Sequence, residues 1–157
     1  MNILLFLSFI SCLLIFITSI YELYIFNSAP CLNKVNNIKP IETTLTVIIP
    51  TYNEEKNIKN CLTALSKIKI PSSKFKILIL DDSSTDNTLK IANKCKEELF
   101  KDPSYIEIIS SGERPKNKNW VGKNWACYVG SKKTKSEFIL FIDADVIVEK
   151  YCIYNAL

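Results

Sequence analysis

Three apolar runs constrain this 157-residue chain more than any other feature, because each one breaks into polar or acidic residues at its carboxyl end. Leu45-Thr46-Val47-Ile48-Ile49 leads into Pro50-Thr51-Tyr52-Asn53-Glu54, and Phe75 to Leu80 leads into Asp81-Asp82-Ser83-Ser84-Thr85-Asp86. Phe138 to Ile142 leads into Asp143-Ala144-Asp145. Short apolar runs bounded by turn formers read as buried strands. Between the first two, Ile58, Cys61, Leu62, Leu65 and Ile68 recur at helical spacing, and Leu89, Ala92, Cys95 and Leu99 repeat the pattern. A shorter strand is expected at Tyr105–Ile109, followed by an irregular basic loop and a helix near Trp125–Ser131. This succession predicts an α/β fold, a mostly parallel sheet flanked by helices on both faces. Sheets of that kind place ligands beyond the carboxyl ends of their strands.

The polar tips narrow the chemistry. Asp143 and Asp145 are spaced by two, so both side chains can face one hard cation, Mg²⁺ or Mn²⁺, bridging a phosphorylated ligand. An Asp-x-Asp alone serves equally well as a solvated turn. The chain has no histidine, which excludes a Ser-His-Asp or Cys-His nucleophile and an imidazole metal site. Its six cysteines form no Cys-x-x-Cys, so they read as reduced, packed thiols. The three glycines make neither a Gly-x-Gly-x-x-Gly nor a P-loop, against a nicotinamide dehydrogenase or a kinase. A net charge of +4 suits an anionic membrane surface and carries no specific sign of nucleic-acid binding.

Val47-Ile48-Ile49-Pro50-Thr51-Tyr52-Asn53-Glu54-Glu55, Leu80-Asp81-Asp82-Ser83-Ser84-Thr85-Asp86 and Phe141-Ile142-Asp143-Ala144-Asp145 resemble, in order and spacing, three motifs of the inverting family 2 glycosyltransferases. The resemblance implies a GT-A fold of the nucleotide-diphospho-sugar transferase kind. Trp120-Val121-Gly122-Lys123-Asn124-Trp125-Ala126 is similar to a Gly-Lys-x-Trp-Ala element in members that glycosylate polyprenoid lipids, including those of hopanoid and carotenoid pathways. Together these elements cover roughly Thr43 to Val148.

Carried over residue by residue, the resemblance implies a site for a UDP- or GDP-linked sugar. Thr51, Asn53 and Glu54 fall where the family contacts the nucleoside, and Glu54 can accept hydrogen bonds from ribose hydroxyls. Asn53, Glu54 and Glu55 also suit the first turn of a helix. Asp82, with Asp81 beside it, matches the position that reads the base. Adjacent strand residues point oppositely, so one of the two, Asp82, is expected to reach the ligand. The other reading is that Asp81, Ser84 and Asp86 cap the helix starting near Asp86. Arg114, Lys116, Lys118 and Lys123 bring four cations toward the Asp143 strand with no acid between them, and a diphosphate needs such charge. Lys116 and Lys118 also suit a solvated loop or a surface facing anionic lipid, whereas Lys123 is expected on phosphate. Trp120 and Trp125 are expected to pack rather than to stack on a ligand.

At the amino end, Ile3 to Tyr21 carries no charge and is long enough to cross a bilayer. No Lys or Arg precedes it, and it exceeds the roughly 7–15-residue apolar core of a cleaved signal. The expected organisation is a transmembrane anchor over 1–26, a linker over 27–42 and a donor-binding part over 43–157. Lys34 and Lys39 follow the anchor, which by the positive-inside rule puts that part in the cytoplasm, on a single-pass membrane protein. The expected partners are a nucleotide sugar, a lipid or polyprenoid acceptor and the membrane, with no nucleic acid. The family's catalytic base and acceptor cleft follow the Asp-x-Asp element in the later half, so no catalytic base is expected among these residues. The competing readings are a non-catalytic nucleotide-sugar-binding module or inactive fragment, and a membrane-anchored structural protein whose acidic tips are helix caps.

Overall fold

A computed structural model describes residues 2–29, 42–69 and 74–157. The expected linker, with Cys31, Lys34 and Lys39, lies almost wholly outside them. The chain divides into two compact units between residues 33 and 34. The first is one helix, α1 (Ile3–Ser28), with no buried residue and a mean hydropathy of 2.7 over its most apolar window, so it is long and apolar enough to cross a membrane.

The second unit follows the expected order: β1 (Thr44–Thr51), α2 (Ile58–Ser66), β2 (Lys74–Asp81), α3 (Thr88–Leu99), a 3-10 turn at Pro103–Tyr105, β3 (Ile106–Ser110), α4 (Gly122–Lys133), β4 (Phe138–Phe141) and a short α5 (Cys152–Ala156). The strands form one sheet in the order β3-β2-β1-β4, and all neighbours run parallel. β1 is central and buried on both faces, which explains why its sequence is a run of apolar residues and not an alternation.

Residues on alternate sides of β1 serve different helices. Val47 and Ile49 join Ile77 and Ile79 under α2 and α3, whose buried residues include Ile58, Cys61, Leu62, Leu65, Ala92 and Cys95. Ile48 joins Leu78, Leu80 and Ala126 under α4. That helix lies so close to the sheet that a Cβ on Gly130 would fall 2.9 Å from Ile48 Cγ2, so any side chain there would force the packing to shift.

Two expectations need correction. Phe138 to Ile142 was read as a buried strand, but Phe138 and Phe141 are 47% and 48% exposed, because β4 pairs with β1 along one side and is the sheet's edge among the described residues. Leu89 was placed on the buried stripe of α3 and is exposed; Thr88, Ala92 and Cys95 form that stripe instead. The described cysteines are all free thiols: Cys61 and Cys95 buried, Cys127 and Cys152 half-buried, Cys12 exposed on α1.

Candidate functional site

Parallel register brings the strand tips level. Thr51 pairs with Asp81 and Asp81 with Ser110, and the ladder runs one step further as Asp82 N–H donates to Thr51 O at 2.9 Å and Ser111 N–H to Asp81 O at 2.8 Å. On the other side, Ile142 N–H donates to Ile48 O at 3.0 Å, which carries the chain from β4 up to Asp143. A cleft of about 260 Å³ opens between these tips and the start of α4. Of the residues expected at the site, Thr51, Glu54, Asp82, Lys123, Asp143 and Asp145 line this cleft, with Tyr52, Pro50, Ala126 and Ala144. Asn53, Asp81 and Arg114, also expected at the site, do not line it.

Asn53 and Asp81 build the loops. Asn53 sits at φ 54° and Ser83 at φ 67°, left-handed conformations that non-glycine residues adopt only when held. Asn53 Oδ1 accepts from Thr85 N–H at 2.8 Å and its own N–H donates to Ser84 Oγ at 3.0 Å, so the β1 and β2 loops lock each other. Asp81 Oδ2 accepts from Ser84 N–H at 3.1 Å, and its Oδ1 is buried without a partner among the described residues. Capping falls to Asp86, whose carboxylate accepts from Thr88 N–H at 2.9 Å and Glu55 N–H at 3.1 Å. Desolvation opposes, but the hydrogen bond from the Thr88 hydroxyl, joined by these backbone bonds, holds the Asp86 carboxyl below its usual range. Glu54 lies ahead of α2 rather than in its first turn: a turn over 54–57 intervenes, and Asn57 Nδ2 donates to Glu54 Oε2 at 2.7 Å.

Asp82 is the buried carboxylate of the cleft, and its surroundings fix its direction. Oδ1 accepts from Ser111 Oγ at 2.9 Å and Oδ2 from Arg114 Nη2 at 3.2 Å. Each carboxylate oxygen can accept more than one bond, so the group still has acceptor capacity toward the cleft. Arg114 thus acts through Asp82. Ser111 and Gly122 complete this arrangement; the sequence does not single out Ser111, and it marks Gly122 only as part of the Gly-Lys-x-Trp-Ala element. Ser111 follows the third strand tip, whose polar end was the available signal. Gly122 opens α4 where a Cβ would fall 2.2 Å from Asp82 Oδ2.

Across the cleft, Asp143 and Asp145 are exposed while Ile142 and Ala144 are buried, the alternation that puts both carboxylates on one side. They lie in a turn past the end of β4, closed by Val146 N–H to Asp143 O at 3.1 Å. Lys123 Nζ lies 2.7 Å from the Asp143 carboxylate, and this hydrogen bond raises the lysine's pKa. No cluster of three or more His, Cys, Asp or Glu side chains closes around one point among the described residues. Two oxygen donors open to a cleft fit Mg²⁺ or Mn²⁺, which takes one or two carboxylates plus substrate phosphates. Beneath them, burial pushes the Cys61 thiol up to about 11, helped by the charges of Asp145 and Glu54.

Trp120 and Trp125 pack, but on each other and on Tyr128 rather than in the core: their centroids lie 5.5 Å apart and both rings are half-buried. Trp125 Nε1 donates to Ser111 O at 2.9 Å, tying the aromatic group to the residue that holds Asp82.

Residues 46–157 match the profile of Glycosyl transferase family 2, and the chain belongs to that family. It is 36% identical over 111 residues to poly(ribitol-phosphate) beta-N-acetylglucosaminyltransferase TarS of Staphylococcus aureus, covering 70% of this chain and 18% of TarS. It is 35% identical over 107 residues to the 4,4'-diaponeurosporenoate glycosyltransferase of Staphylococcus haemolyticus, covering 67% and 25%. This chain thus spans about a fifth to a quarter of the length of these relatives. Among solved structures, residues 1–349 of S. aureus TarS with UDP-GlcNAc superpose with a TM-score of 0.55 at 31% identity, covering 72% of this chain and 30% of that one. The mannosyltransferase PcManGT of Pyrobaculum calidifontis, in complex with GDP-Man and Mn2+, superposes at 0.63 with 24% identity, covering 86% and 38%, a likeness of fold. The GT-A-like architecture expected from the sequence is the one found.

Proposed function

We propose that residues 43–157 are the donor-binding part of a glycosyltransferase, taking a UDP- or GDP-linked sugar with Mg²⁺ or Mn²⁺ for transfer to a lipid, polyprenoid or other membrane-associated acceptor. The observation that carries this reading is convergence: the end of β1 gives Thr51 and the loop after it Glu54, the tip beyond β2 gives Asp82, the β4 turn gives Asp143 and Asp145, and α4 gives Lys123, all to one cleft. UDP-GlcNAc in the TarS complex supports the donor class, and the relative named for 4,4'-diaponeurosporenoate supports a polyprenoid acceptor.

In this reading Asp82, held by Ser111 and Arg114, accepts the N–H of the base, and Glu54 accepts the ribose hydroxyls. Asp143 and Asp145 hold the divalent ion, which when bound neutralises charge on the diphosphate. Lys123 leaves Asp143 for a phosphate oxygen. The base that deprotonates the acceptor comes from outside these residues. Residues 1–26 are the membrane anchor, residues 27–42 the linker, and the donor-binding part faces the cytoplasm.

Calorimetry on the full chain in detergent, with UDP and GDP and with or without Mn²⁺, tests the reading. Metal-dependent binding of a nucleoside diphosphate is expected, without sugar transfer by this chain alone. Metal-independent binding, or none to a folded sample, would overturn it.

A further inference from the structure

Helix α4 carries a second face that the cleft does not use. Ala126 and Gly130 mark its side against the sheet. Val121, Trp125, Tyr128 and Lys132 recur at i, i+4, i+7 and i+11 and so form a separate stripe. Val121 is 66% exposed and Tyr128 42%. Trp120, from the preceding loop, packs on Trp125 and on Tyr128, the latter at 5.0 Å between centroids. Lys132 Nζ lies over the Tyr128 ring at 5.7 Å.

The sequence that builds this stripe is strongly basic, bounded by Glu113 and Glu137. From Arg114 to Ser136 the chain carries Lys116, Lys118, Lys123, Lys132, Lys133 and Lys135 and no aspartate or glutamate. Half-exposed Trp and Tyr, with an apolar body and a polar tip, are the side chains that gather at a membrane–water boundary, and lysines beside them match anionic headgroups. Nucleic acid or an acidic protein would answer the charge but leave the Val121–Trp125–Tyr128 stripe in water. The same chain carries α1, apolar enough to cross a bilayer.

We propose that the aromatic–lysine face of α4 docks on an anionic lipid surface, a membrane contact made by the soluble unit itself and separate from α1. The contact does not depend on whether the cleft binds a nucleotide sugar.

The only two tryptophans of the sequence are Trp120 and Trp125, so intrinsic fluorescence reports on this face alone. The full chain is reconstituted in phosphatidylcholine vesicles with and without phosphatidylglycerol, some carrying acyl chains brominated near the headgroup. In anionic brominated vesicles the emission should shift to the blue and lose most of its intensity, and high salt should restore it. A Lys116→Glu, Lys118→Glu, Lys132→Glu, Lys133→Glu variant should stay membrane-bound yet escape quenching, with circular dichroism showing it folded. Emission equal in brominated and plain vesicles would overturn the proposal, as would equal quenching without the anionic lipid. A response to duplex DNA with none to vesicles would overturn it in favour of a nucleic-acid surface.

Discussion

Replacing Gly122 by alanine probes the closest approach in the cleft. The new Cβ would fall 2.2 Å from Asp82 Oδ2 and 3.4 Å from Arg114 Nη2. Carbon–oxygen contacts settle at about 3.3–3.6 Å, so the carboxylate must retreat by about 1 Å. It has little room, since Ser111 holds Oδ1 at 2.9 Å, Arg114 holds Oδ2 at 3.2 Å, and the Asp82 backbone is tied to Thr51. Two effects oppose each other. Alanine favours a helix over glycine by up to about 1 kcal/mol, and by less at a first helical residue. A disturbed hydrogen bond to a charged group costs about 1.5–3 kcal/mol, the lower end applying where the partner is half in water, as Arg114 is. The loss wins, and Gly122→Ala should destabilise the fold by about 1–2 kcal/mol. Nucleotide affinity should fall about tenfold, because an Asp82 carboxylate displaced by about 1 Å loses a ligand hydrogen bond worth about 1.4 kcal/mol. Urea unfolding and calorimetry with UDP and Mn²⁺ measure the two effects. Gly112→Ala is the control: at φ 69° its Cβ meets nothing within 4 Å, so it should cost about 1 kcal/mol of backbone strain and leave binding alone. A Gly122→Ala variant as stable as the parent, with unchanged affinity, would show that α4 is not seated against Asp82.

Asp82→Asn should weaken nucleotide binding by roughly 1–3 kcal/mol, and Asp81→Asn by less, because Asp81 stands outside the cleft; equal losses in calorimetry would contradict the assignment. Lys123→Met removes the cation paired with Asp143, so bare Mn²⁺ should bind more tightly while UDP with Mn²⁺ binds more weakly; a parallel change in both, read by Mn²⁺ resonance titration, would count against a lysine that exchanges partners. The Cys61 thiol is raised from 9.0 to about 11 chiefly by burial, so the native state keeps its proton longer than the unfolded chain does. Its contribution to stability is therefore full below pH 9 and lost as pH rises toward 11. Denaturant unfolding across that range should show the decline, smaller in Cys61→Ala though not abolished, because burial raises Cys95 and Cys127 too. An identical slope in both proteins would place its origin elsewhere.

The elements were legible because apolar runs and helical spacing are local properties, and β1, β2, α2 and α3 are decided by them. Strand alternation also accounts for the different placement of adjacent aspartates, Asp82 lining the cleft and Asp81 bonding Ser84 in the loop. Other features depend on what lies across space. Phe138–Phe141 is as apolar as a central strand, and only the sheet order reveals that one side of it lacks a neighbour among the described residues. Asn53 belongs to the motif at the first strand tip, yet its amide oxygen is engaged by Thr85, a partner that spacing alone does not identify. Ser111 looks like any serine after a strand until parallel register sets it beside Asp82.

The unequal ladders of the sheet give the two sides of the cleft different local stabilities. β1 meets β2 over eight residue pairs and β4 over four, and the β4 partner is reached far later along the chain. Closing the shorter connection costs less chain entropy, so among the described residues the β1–β2 pairing that carries Thr51 and Asp82 is more extensively supported than the β1–β4 pairing that leads to Asp143 and Asp145. A ligand spanning Asp82 and Asp143 engages both segments at once. Any free energy that tightens β4 against β1 would add to the affinity of such a ligand, by mass action on the paired form.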